Sequence, residues 1–201
     1  PDVLIPRSDT EDLVKAALSR LVAPTDGSPL RVADIGTGSG AIAISLAKEW
    51  APRPIEITAV DISREALAVA RENASDLEVE AGISFCEGDV FDGLAAGARF
   101  HGVVSNPPYI PSGDLDDLQA EVARHEPRLA LDGGADGLDI IRRLVAQAPD
   151  FIEPGGFLAL EVGIEQAQVV SSLISETGAY GDVEILRDLG DVERVVLAPR
   201  S

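Results

Sequence analysis

The sequence predicts an α/β protein in which a mostly parallel sheet carries helices on both faces. Short apolar runs of strand length alternate along the chain with longer stretches of helical periodicity, which is typical of parallel α/β architecture. The last two strand-like runs, residues 183–187 and 194–198, are separated by the turn sequence Asp188-Leu189-Gly190-Asp191 and favour an antiparallel hairpin. With 201 residues, the chain is expected to form one domain, or one with a small appendage.

The first half of the chain contains the clearest alternation of helices and strands. A helix is predicted over residues 9–22, because Ser8 and Glu11 fit a capping box and an apolar stripe follows them. Ser63 can cap a later helix. The elements predicted after the first helix are, in order, a strand at 30–35, a glycine-rich turn at 36–40, a helix at 41–50, a strand at 55–60 ending at Asp61, a helix at 64–74, a strand at 83–87 and a strand at 102–105.

The second half begins with a less regular region, residues 110–137, which contains several prolines and glycines. A short helix is expected within it at about residues 115–123. We expect this region to be an insertion over one end of the sheet, where loops often carry function. The elements predicted after it are a helix at 139–148, a Gly155-Gly156 turn, a strand at 157–162, a helix at 164–177 and the terminal hairpin.

Composition and charge limit the classes of partner. Asp and Glu total 35 against 16 Lys and Arg, which gives a formal net charge of −19. Proteins that bind duplex nucleic acid normally carry a basic face, so neither nucleic acid nor a membrane is an expected partner. No apolar stretch approaches the roughly 20 residues of a membrane-spanning helix. The single cysteine, Cys86, excludes an intrachain disulfide and a multi-cysteine metal site, and a cytoplasmic location is expected.

The first motif with chemical meaning is a glycine-rich turn between a predicted strand and a predicted helix. Glycine allows sharp backbone turns and lets a ligand contact the main chain, and open α/β sheets bind ligands beyond the carboxyl ends of their strands. We therefore predict cofactor binding at Gly36, Thr37, Gly38, Ser39 and Gly40. A tight turn without ligand is the alternative, and Gly36, Gly38 and Ala41 also satisfy the pattern of dinucleotide-binding proteins.

Acidic residues follow the next two predicted strands. Asp61 lies 21 residues beyond Gly40, where a carboxylate can accept both hydrogens of a ribose diol. A helix-capping role is the alternative for Asp61. Asp89 and Val90 follow the third strand, where the acid can accept the exocyclic amine of an adenine and the apolar side chain can pack on the ring. A turn with a capping aspartate is the alternative for this pair.

Asn106-Pro107-Pro108-Tyr109, directly after the fourth strand, is the most informative segment. Each proline fixes φ, lacks an amide hydrogen and restricts the preceding residue to extended conformations. The Asn106 side-chain oxygen and the Pro107 carbonyl can therefore both accept from one planar NH2 group, and Tyr109 provides a flat face for it. We predict that these four catalytic residues hold an amide or amino nitrogen for reaction. A rigid loop with a buried asparagine is the alternative.

Further distinctive segments accompany these motifs across essentially the whole chain. They include Ile5-Pro6-Arg7-Ser8-Asp9-Thr10-Glu11, Glu126-Pro127-Arg128-Leu129-Ala130-Leu131, and Asp188-Leu189-Gly190-Asp191-Val192-Glu193-Arg194-Val195. Together with the glycine turn and Asn-Pro-Pro-Tyr, they resemble the glutamine-N5 methyltransferase family that modifies bacterial and organellar peptide-chain release factors. Asn-Pro-Pro-Tyr is shared with adenine-N6 and other amino-group methyltransferases, whereas the first two of these segments are much more specific to this family.

This resemblance implies a Rossmann-like class I S-adenosylmethionine-dependent methyltransferase fold with a seven-stranded, mostly parallel sheet. It implies S-adenosylmethionine as methyl donor, with S-adenosylhomocysteine as product, and a glutamine side-chain amide as acceptor. In class-1 release factors that glutamine lies in a Gly-Gly-Gln loop. Asn106 is expected to touch the donor as well as the acceptor. Residues 1–201 would form the methyltransferase domain, and the N-terminal helical domain with which family members grip the release factor is expected to be absent from this chain.

Two positions depart from the family pattern, and two others have open roles. His125 stands where the family commonly has an aromatic residue. Val90 stands where an aromatic residue often follows the acid, so either Val90 or Phe91 packs on adenine. Arg7 and Thr10 are expected either at the substrate edge of the pocket or in a structural salt bridge and helix cap.

The chemistry that the resemblance implies requires neither a general base nor a metal. Alkylation makes an amide nitrogen strongly acidic, so its proton can leave after the methyl group has transferred. His101 and His125 are therefore expected to be ordinary polar residues, and no cluster of residues in the sequence suggests a metal site.

Three other functions remain as alternatives. An adenine-N6 methyltransferase acting on DNA or RNA would use Asn106 and its neighbours to hold a flipped base, although the net charge disfavours it. An NAD-dependent oxidoreductase would use the glycine turn but would give Pro107 and Pro108 no evident role. A non-catalytic binding module would retain the pocket without turnover.

Overall fold

The computed structural model describes residues 8–117 and 127–201, and it contains one seven-stranded sheet. The strand order is β3-β2-β1-β4-β5-β7-β6, and β7 alone runs antiparallel to its neighbours β5 and β6. The strands are β1 (Leu30–Ile35), β2 (Ile55–Asp61), β3 (Ile83–Glu87), β4 (Phe100–Ser105), β5 (Ile152–Glu161), β6 (Glu184–Arg187) and β7 (Glu193–Pro199). The predicted mostly parallel sheet with a terminal hairpin is confirmed.

Five α-helices connect or cover these strands in the described part of the chain. They are α1 (Ser8–Arg20), α2 (Ala41–Trp50), α3 (Arg64–Asp76), α4 (Asp139–Gln147) and α5 (Ala167–Glu176). Short 3-10 helices occupy Glu80–Gly82, Ser112–Asp117, Arg128–Ala130 and Ala148–Asp150. None of the helices in residues 8–117 and 127–201 is both long enough and apolar enough to cross a membrane.

The helices lie on both faces because strand side chains alternate between the two faces of a sheet. In β1, Val32 belongs to the hydrophobic cluster under α1 and α2, whereas Ala33 belongs to the cluster under α4 and α5. In β5, Phe157 and Leu158 divide in the same way. Each of these four residues is at most 3% exposed. The apolar strand runs in the sequence are therefore explained by burial of the strands on both sides.

The Ser63 cap is confirmed, since the Ser63 hydroxyl accepts a hydrogen bond from the Ala66 amide. The capping-box prediction at Ser8 concerns a side chain outside the described residues. The helix predicted at 115–123 is a 3-10 helix over Ser112–Asp117 where the structure describes it, and residues 118–126 are outside the described ranges.

Several predicted element boundaries are wrong: β4 starts at Phe100 rather than at 102, α3 ends at Asp76 rather than at 74, and three others differ as follows. Helix α5 starts at Ala167 rather than at 164, because Glu165 adopts a left-handed φ of 66° that a helix cannot include. Strand β5 starts at Ile152, and the predicted Gly155-Gly156 turn is an irregularity within it, between pairings with β4. Helix α1 ends at Arg20, and Val22 beyond it is 77% exposed.

Gly102 in β4 lies directly against the core residue Phe157, and its replacement tests the packing. A Cβ at Gly102 would lie 2.6 Å from Cζ of the Phe157 ring, which is itself in the core. We expect Gly102→Ala to lower the free energy of unfolding by about 1–3 kcal/mol through overpacking. Urea unfolding measures it. Gly113→Ala is the matched control, because a Cβ there meets nothing within 4 Å, and an equal loss in both variants would contradict the packing argument.

Candidate functional site

A cleft of about 400 Å³ opens at the carboxyl ends of the first four strands. It lies where the strand order reverses between β1 and β4, which is the position at which open α/β sheets bind ligands. Ten of the predicted site residues line it: Gly36, Thr37, Gly38, Ser39, Asp61, Asp89, Val90, Asn106, Pro107 and Pro108. The topology therefore brings four motifs that are far apart in sequence to one cavity.

The glycine-rich turn uses the conformational freedom of its three glycines. Gly36, Gly38 and Gly40 have φ values of 72°, 55° and 81°, in the region that favours glycine. A Cβ at Gly36 or Gly38 would meet nothing within 4 Å, so the turn presents bare backbone to open space in the cleft. A Cβ at Gly40 would lie 3.0 Å from Cβ of Ala70. Gly40 therefore serves the packing of the turn against α3, and it does not line the cleft.

Asp34 of β1 supports the glycine turn from the interior of the protein, where it is fully buried. Its Oδ2 accepts hydrogen bonds from the Thr37 hydroxyl at 2.6 Å and the Ala43 amide at 3.2 Å. Its Oδ1 has no hydrogen-bond partner among the described residues. Burial raises the pKa of the Asp34 carboxyl from 3.8 to about 7, against the lowering effect of these two hydrogen bonds.

This raised pKa predicts how stability depends on pH. Asp34 binds its proton more tightly in the folded state, so the folded state loses stability as pH rises from about 4 to about 7 and no more above that. Asp34→Asn keeps an oxygen for both hydrogen bonds and removes the ionisation. We therefore expect the difference in free energy of unfolding, Asp34→Asn minus wild type, to increase as pH rises from about 4 to about 7. The total increase should be on the order of 4 kcal/mol. Urea unfolding between pH 4.5 and 8 measures the difference; parallel curves would contradict the assignment.

Asp61, at the end of β2, is already tied to the backbone around the cleft. Its Oδ2 accepts from the Gly38 amide at 2.8 Å, and its Oδ1 accepts from the Ser63 amide at 2.9 Å. Each carboxylate oxygen has a second lone pair, so Asp61 can still accept hydrogens from a ligand. The residue therefore holds the glycine turn in place as well as lining the cleft, and the first of these roles was not predicted from the sequence.

Asp89 and Val90 lie on the wall formed after β3. Arg143 of α4 binds the Asp89 carboxylate through both of its terminal nitrogens, at 3.0 and 2.9 Å. Val90 has a φ of 58°, which is strained for a β-branched residue. Both Val90 and Phe91 are buried, but only Val90 lines the cleft, and Phe91 stacks on Phe151 with ring centroids 4.6 Å apart. Val90 rather than Phe91 is therefore the apolar side chain available to a ligand.

Asn106 is held at the end of β4 by neighbours on both sides. The preceding Ser105 donates its hydroxyl hydrogen to the Ile35 carbonyl at 2.6 Å, which ties the ends of β4 and β1 together. The Asn106 Nδ2 donates to Thr10 Oγ1 of α1 at 3.4 Å, and the Thr10 hydroxyl donates to Glu161 Oε2 of β5 at 3.2 Å. Glu161 is 1% exposed. These contacts fix the segment that the sequence predicted to be catalytic.

Tyr109 lies beside the cleft instead of on its wall. It lines a small adjoining cavity together with Glu161. Its carbonyl accepts a hydrogen bond from Gln166 Nε2 at 2.9 Å, and Gln166 Oε1 accepts from the Gly163 amide at 2.9 Å. Gln166 therefore anchors the end of the Asn-Pro-Pro-Tyr segment to the residues that follow β5.

Comparison with known proteins relates the chain to one group of enzymes. A family model described as the methyltransferase small domain matches residues 14–125. The release factor glutamine methyltransferase of Moorella thermoacetica is 48% identical over 200 residues, which cover 100% of this chain and 68% of that protein. The release factor glutamine methyltransferase of a Synechocystis species is 45% identical over 201 residues, covering 98% and 66%.

The chain belongs to the release factor glutamine methyltransferase family. It spans about two thirds of the length of the curated relatives it matches. Among solved structures, the O-methyltransferase TomG of Streptomyces achromogenes in complex with S-adenosylmethionine matches with a TM-score of 0.62 and 15% identity, covering 100% of this chain and 83% of that chain. The fold is that of the class I methyltransferases. Membership of this family makes the chain a methyltransferase and contradicts the NAD-dependent alternative.

In this member of the release factor glutamine methyltransferase family, one wall of the cleft is formed by residues that the sequence did not predict. Pro127, Leu129 and Ala130 lie on one part of it, and Ile140 and Arg143 of α4 lie on another. The Glu-Pro-Arg-Leu-Ala-Leu segment was quoted only as a family mark. The segment lies within the region 110–137 that was expected to cover one end of the sheet, and that expectation is the signal that could have placed it at the cleft.

Thr10, expected either at the substrate edge of the pocket or in a structural role, lines the cleft, whereas the other predicted residues lie away from it or outside the described ranges. His101 is near the amino end of β4, where its Nδ1 accepts a hydrogen bond from the Arg31 amide at 3.0 Å. Because the cleft is at the opposite end of the strand, His101 is a structural polar residue, as expected. Arg7 and His125 lie outside the described residues. Within residues 8–117 and 127–201, no group of three or more His, Cys, Asp or Glu side chains could hold a metal ion.

Proposed function

We propose that this protein transfers a methyl group from S-adenosylmethionine to the side-chain amide nitrogen of the glutamine in the Gly-Gly-Gln motif of class-1 release factors. The observation that carries the proposal is that Asn106, Pro107 and Pro108 open on the same cleft as the glycine turn and Asp61. The residues proposed to hold a planar NH2 group and those proposed to hold a nucleoside therefore line one cavity.

The residues around the cleft fit the proposed cofactor. Its volume of about 400 Å³ is within the range of small-molecule sites. Gly36 and Gly38 leave open space above bare backbone, Asp61 retains lone pairs for the ribose hydroxyls, and Asp89 with Val90 offers an acceptor and an apolar surface for the adenine. S-adenosylmethionine supplies an electrophilic methyl group when bound.

The task of Asn106 and Pro107 in this proposal is to hold the acceptor nitrogen. An amide nitrogen is a poor nucleophile because its lone pair is delocalised into the carbonyl. When Asn106 Oδ1 and the Pro107 carbonyl accept its two hydrogens, the nitrogen is held in place. Its lone pair is then more available to attack the methyl group. Positioning of this kind can lower a barrier by roughly 7–11 kcal/mol. The surplus proton leaves afterwards, so the site needs no general base.

The choice of a release factor as substrate rests on the relatives. Those that match this chain at 40–48% identity over nearly its whole length are named release factor glutamine methyltransferases. We propose the same acceptor here and a cytoplasmic location, where the proposed substrate acts. We also propose that the protein recognises the factor directly and not through nucleic acid, in keeping with its net charge of −19.

The decisive experiment is transfer of labelled methyl from S-adenosylmethionine at saturating concentration. The acceptors are a purified class-1 release factor, the same factor with its Gly-Gly-Gln glutamine replaced, and adenine-containing DNA and RNA. Label on the first acceptor alone would establish both the reaction and the accepting residue. Label on nucleic acid would instead favour the adenine-N6 alternative, and equal label on both release factors would contradict the glutamine as acceptor.

A further inference from the structure

A chain of hydrogen bonds runs from the catalytic segment into the interior of the protein. Asn106 Nδ2 donates to Thr10 Oγ1, and the Thr10 hydroxyl donates to Glu161 Oε2. Thr10 is 8% exposed and Glu161 is 1% exposed. The three residues come from α1, from the end of β4 and from β5, and Thr10 is 96 residues from Asn106 and 151 from Glu161 in sequence. This chain connects three elements at one point beside the cleft.

The directions of these hydrogen bonds determine which end of the Asn106 amide faces the chain. A hydroxyl has one hydrogen and can accept through its lone pairs. Because the Thr10 hydrogen is directed to Glu161, Thr10 presents an acceptor to Asn106. The NH2 end of the Asn106 amide therefore points to Thr10, and the oxygen end is left for the cleft. If the Asn106 amide were reversed, its NH2 group would face the NH2 group of an incoming glutamine side chain. Neither group could then accept a hydrogen bond from the other.

We infer that Thr10 is a positioning residue, which sets the Asn106 amide so that its oxygen accepts from the substrate nitrogen. This inference rests on the proposed function. Thr10 is suited to the task because α1 is fixed to the core: Leu13 and Ala17, on the same helix, are fully buried. Thr10 lines the cleft beside Asn106, and in this scheme it acts on the reacting nitrogen through Asn106.

Two substitutions of Thr10 distinguish the effect of its hydroxyl group from the effect of its side-chain shape. Thr10→Val removes the hydroxyl and preserves the branched shape, whereas Thr10→Ser keeps the hydroxyl. We expect Thr10→Val to lower kcat for methylation of the release factor about tenfold or more, as the loss of a buried hydrogen bond would. Thr10→Ser should restore most of it, and in both variants the Kd for S-adenosylmethionine should change much less than kcat does. Thr177→Val, at the end of α5 and away from the cleft, is the matched control.

A double substitution tests whether Thr10 acts through Asn106. In an Asn106→Ala background, single-turnover assays should show no further loss on adding Thr10→Val, because the group being positioned is gone. The same tenfold loss in both backgrounds would overturn the inference, since a merely structural role for Thr10 would persist. A kcat for Thr10→Val equal to that of wild type would also overturn the inference.

A measurement independent of activity keeps this inference separate from the proposed function. The Asn106 side-chain NH2 signals in ¹⁵N NMR spectra should shift, and exchange faster with solvent, in Thr10→Val but not in Thr10→Ser. If the wild-type protein fails to methylate the release factor, the proposed function fails, and these signals still decide the role of Thr10. Unchanged Asn106 signals in Thr10→Val would overturn the inference.

Discussion

Replacement of Asn106 with alanine should lower the rate of methyl transfer at least a hundredfold, with less than a tenfold change in the Kd for S-adenosylmethionine. The reason is that the Asn106 oxygen holds the acceptor amide, so its loss acts on the positioned nitrogen more than on the donor. Removal of one preorganised hydrogen-bonding group in other active sites costs about 10²–10³ in kcat. Some loss of cofactor affinity is expected, since Asn106 lines the same cleft as the glycine turn.

Turnover of the release factor and calorimetric titration of the cofactor measure these two effects. Gln168→Ala is a suitable control, because it removes an exposed side-chain amide from α5 without touching the cleft. Equal losses in turnover and in cofactor affinity would contradict the role of Asn106 as the group that holds the acceptor. Unfolding by urea should be checked in parallel, because Asn106 also contacts Thr10.

The sheet was predictable because its signals are local. The runs at 30–35 and 83–87 are strands with the predicted bounds, since short apolar runs flanked by turn residues need only their own sequence to be recognised. The start of α5, which was predicted wrongly, depends on a single backbone conformation. Glu165 has a left-handed φ, which prevents α5 from starting before it, and a glutamate in the sequence does not indicate such a conformation.

The same distinction applies to the site. Ten of its residues belong to motifs that end strands, and a parallel sheet brings strand ends to one edge. The side chains that support them could not be predicted, because each one meets its partner through tertiary structure. Arg143 lies 54 residues from Asp89, and Gln166 lies 57 residues from Tyr109. Thr10 belongs to a distinctive segment of the sequence, but its hydrogen bonds with Asn106 and Glu161 were not predicted.

Replacement of Asp61 with alanine should weaken binding of S-adenosylhomocysteine by about 10–100-fold. Two effects contribute: the ligand loses a charged acceptor for its ribose hydroxyls, and the Gly38 and Ser63 amides lose the carboxylate that holds them at 2.8 and 2.9 Å. Hydrogen bonds to charged groups contribute about 1.5–3 kcal/mol each. Calorimetry gives the Kd, and Asp76→Asn, which removes an exposed charge at the end of α3, controls for net charge.

A ligand that lacks the ribose diol separates the two effects of Asp61. Wild type should bind the 2′,3′-dideoxy analogue of S-adenosylhomocysteine more weakly than the parent, whereas Asp61→Ala should bind the two almost equally. If the variant kept the full preference for the parent, Asp61 would act only through the glycine turn. An unchanged Kd for the parent would remove Asp61 from the site altogether. Because the carboxylate already accepts from Gly38, loss of the diol contact alone should be the smaller part of the total effect.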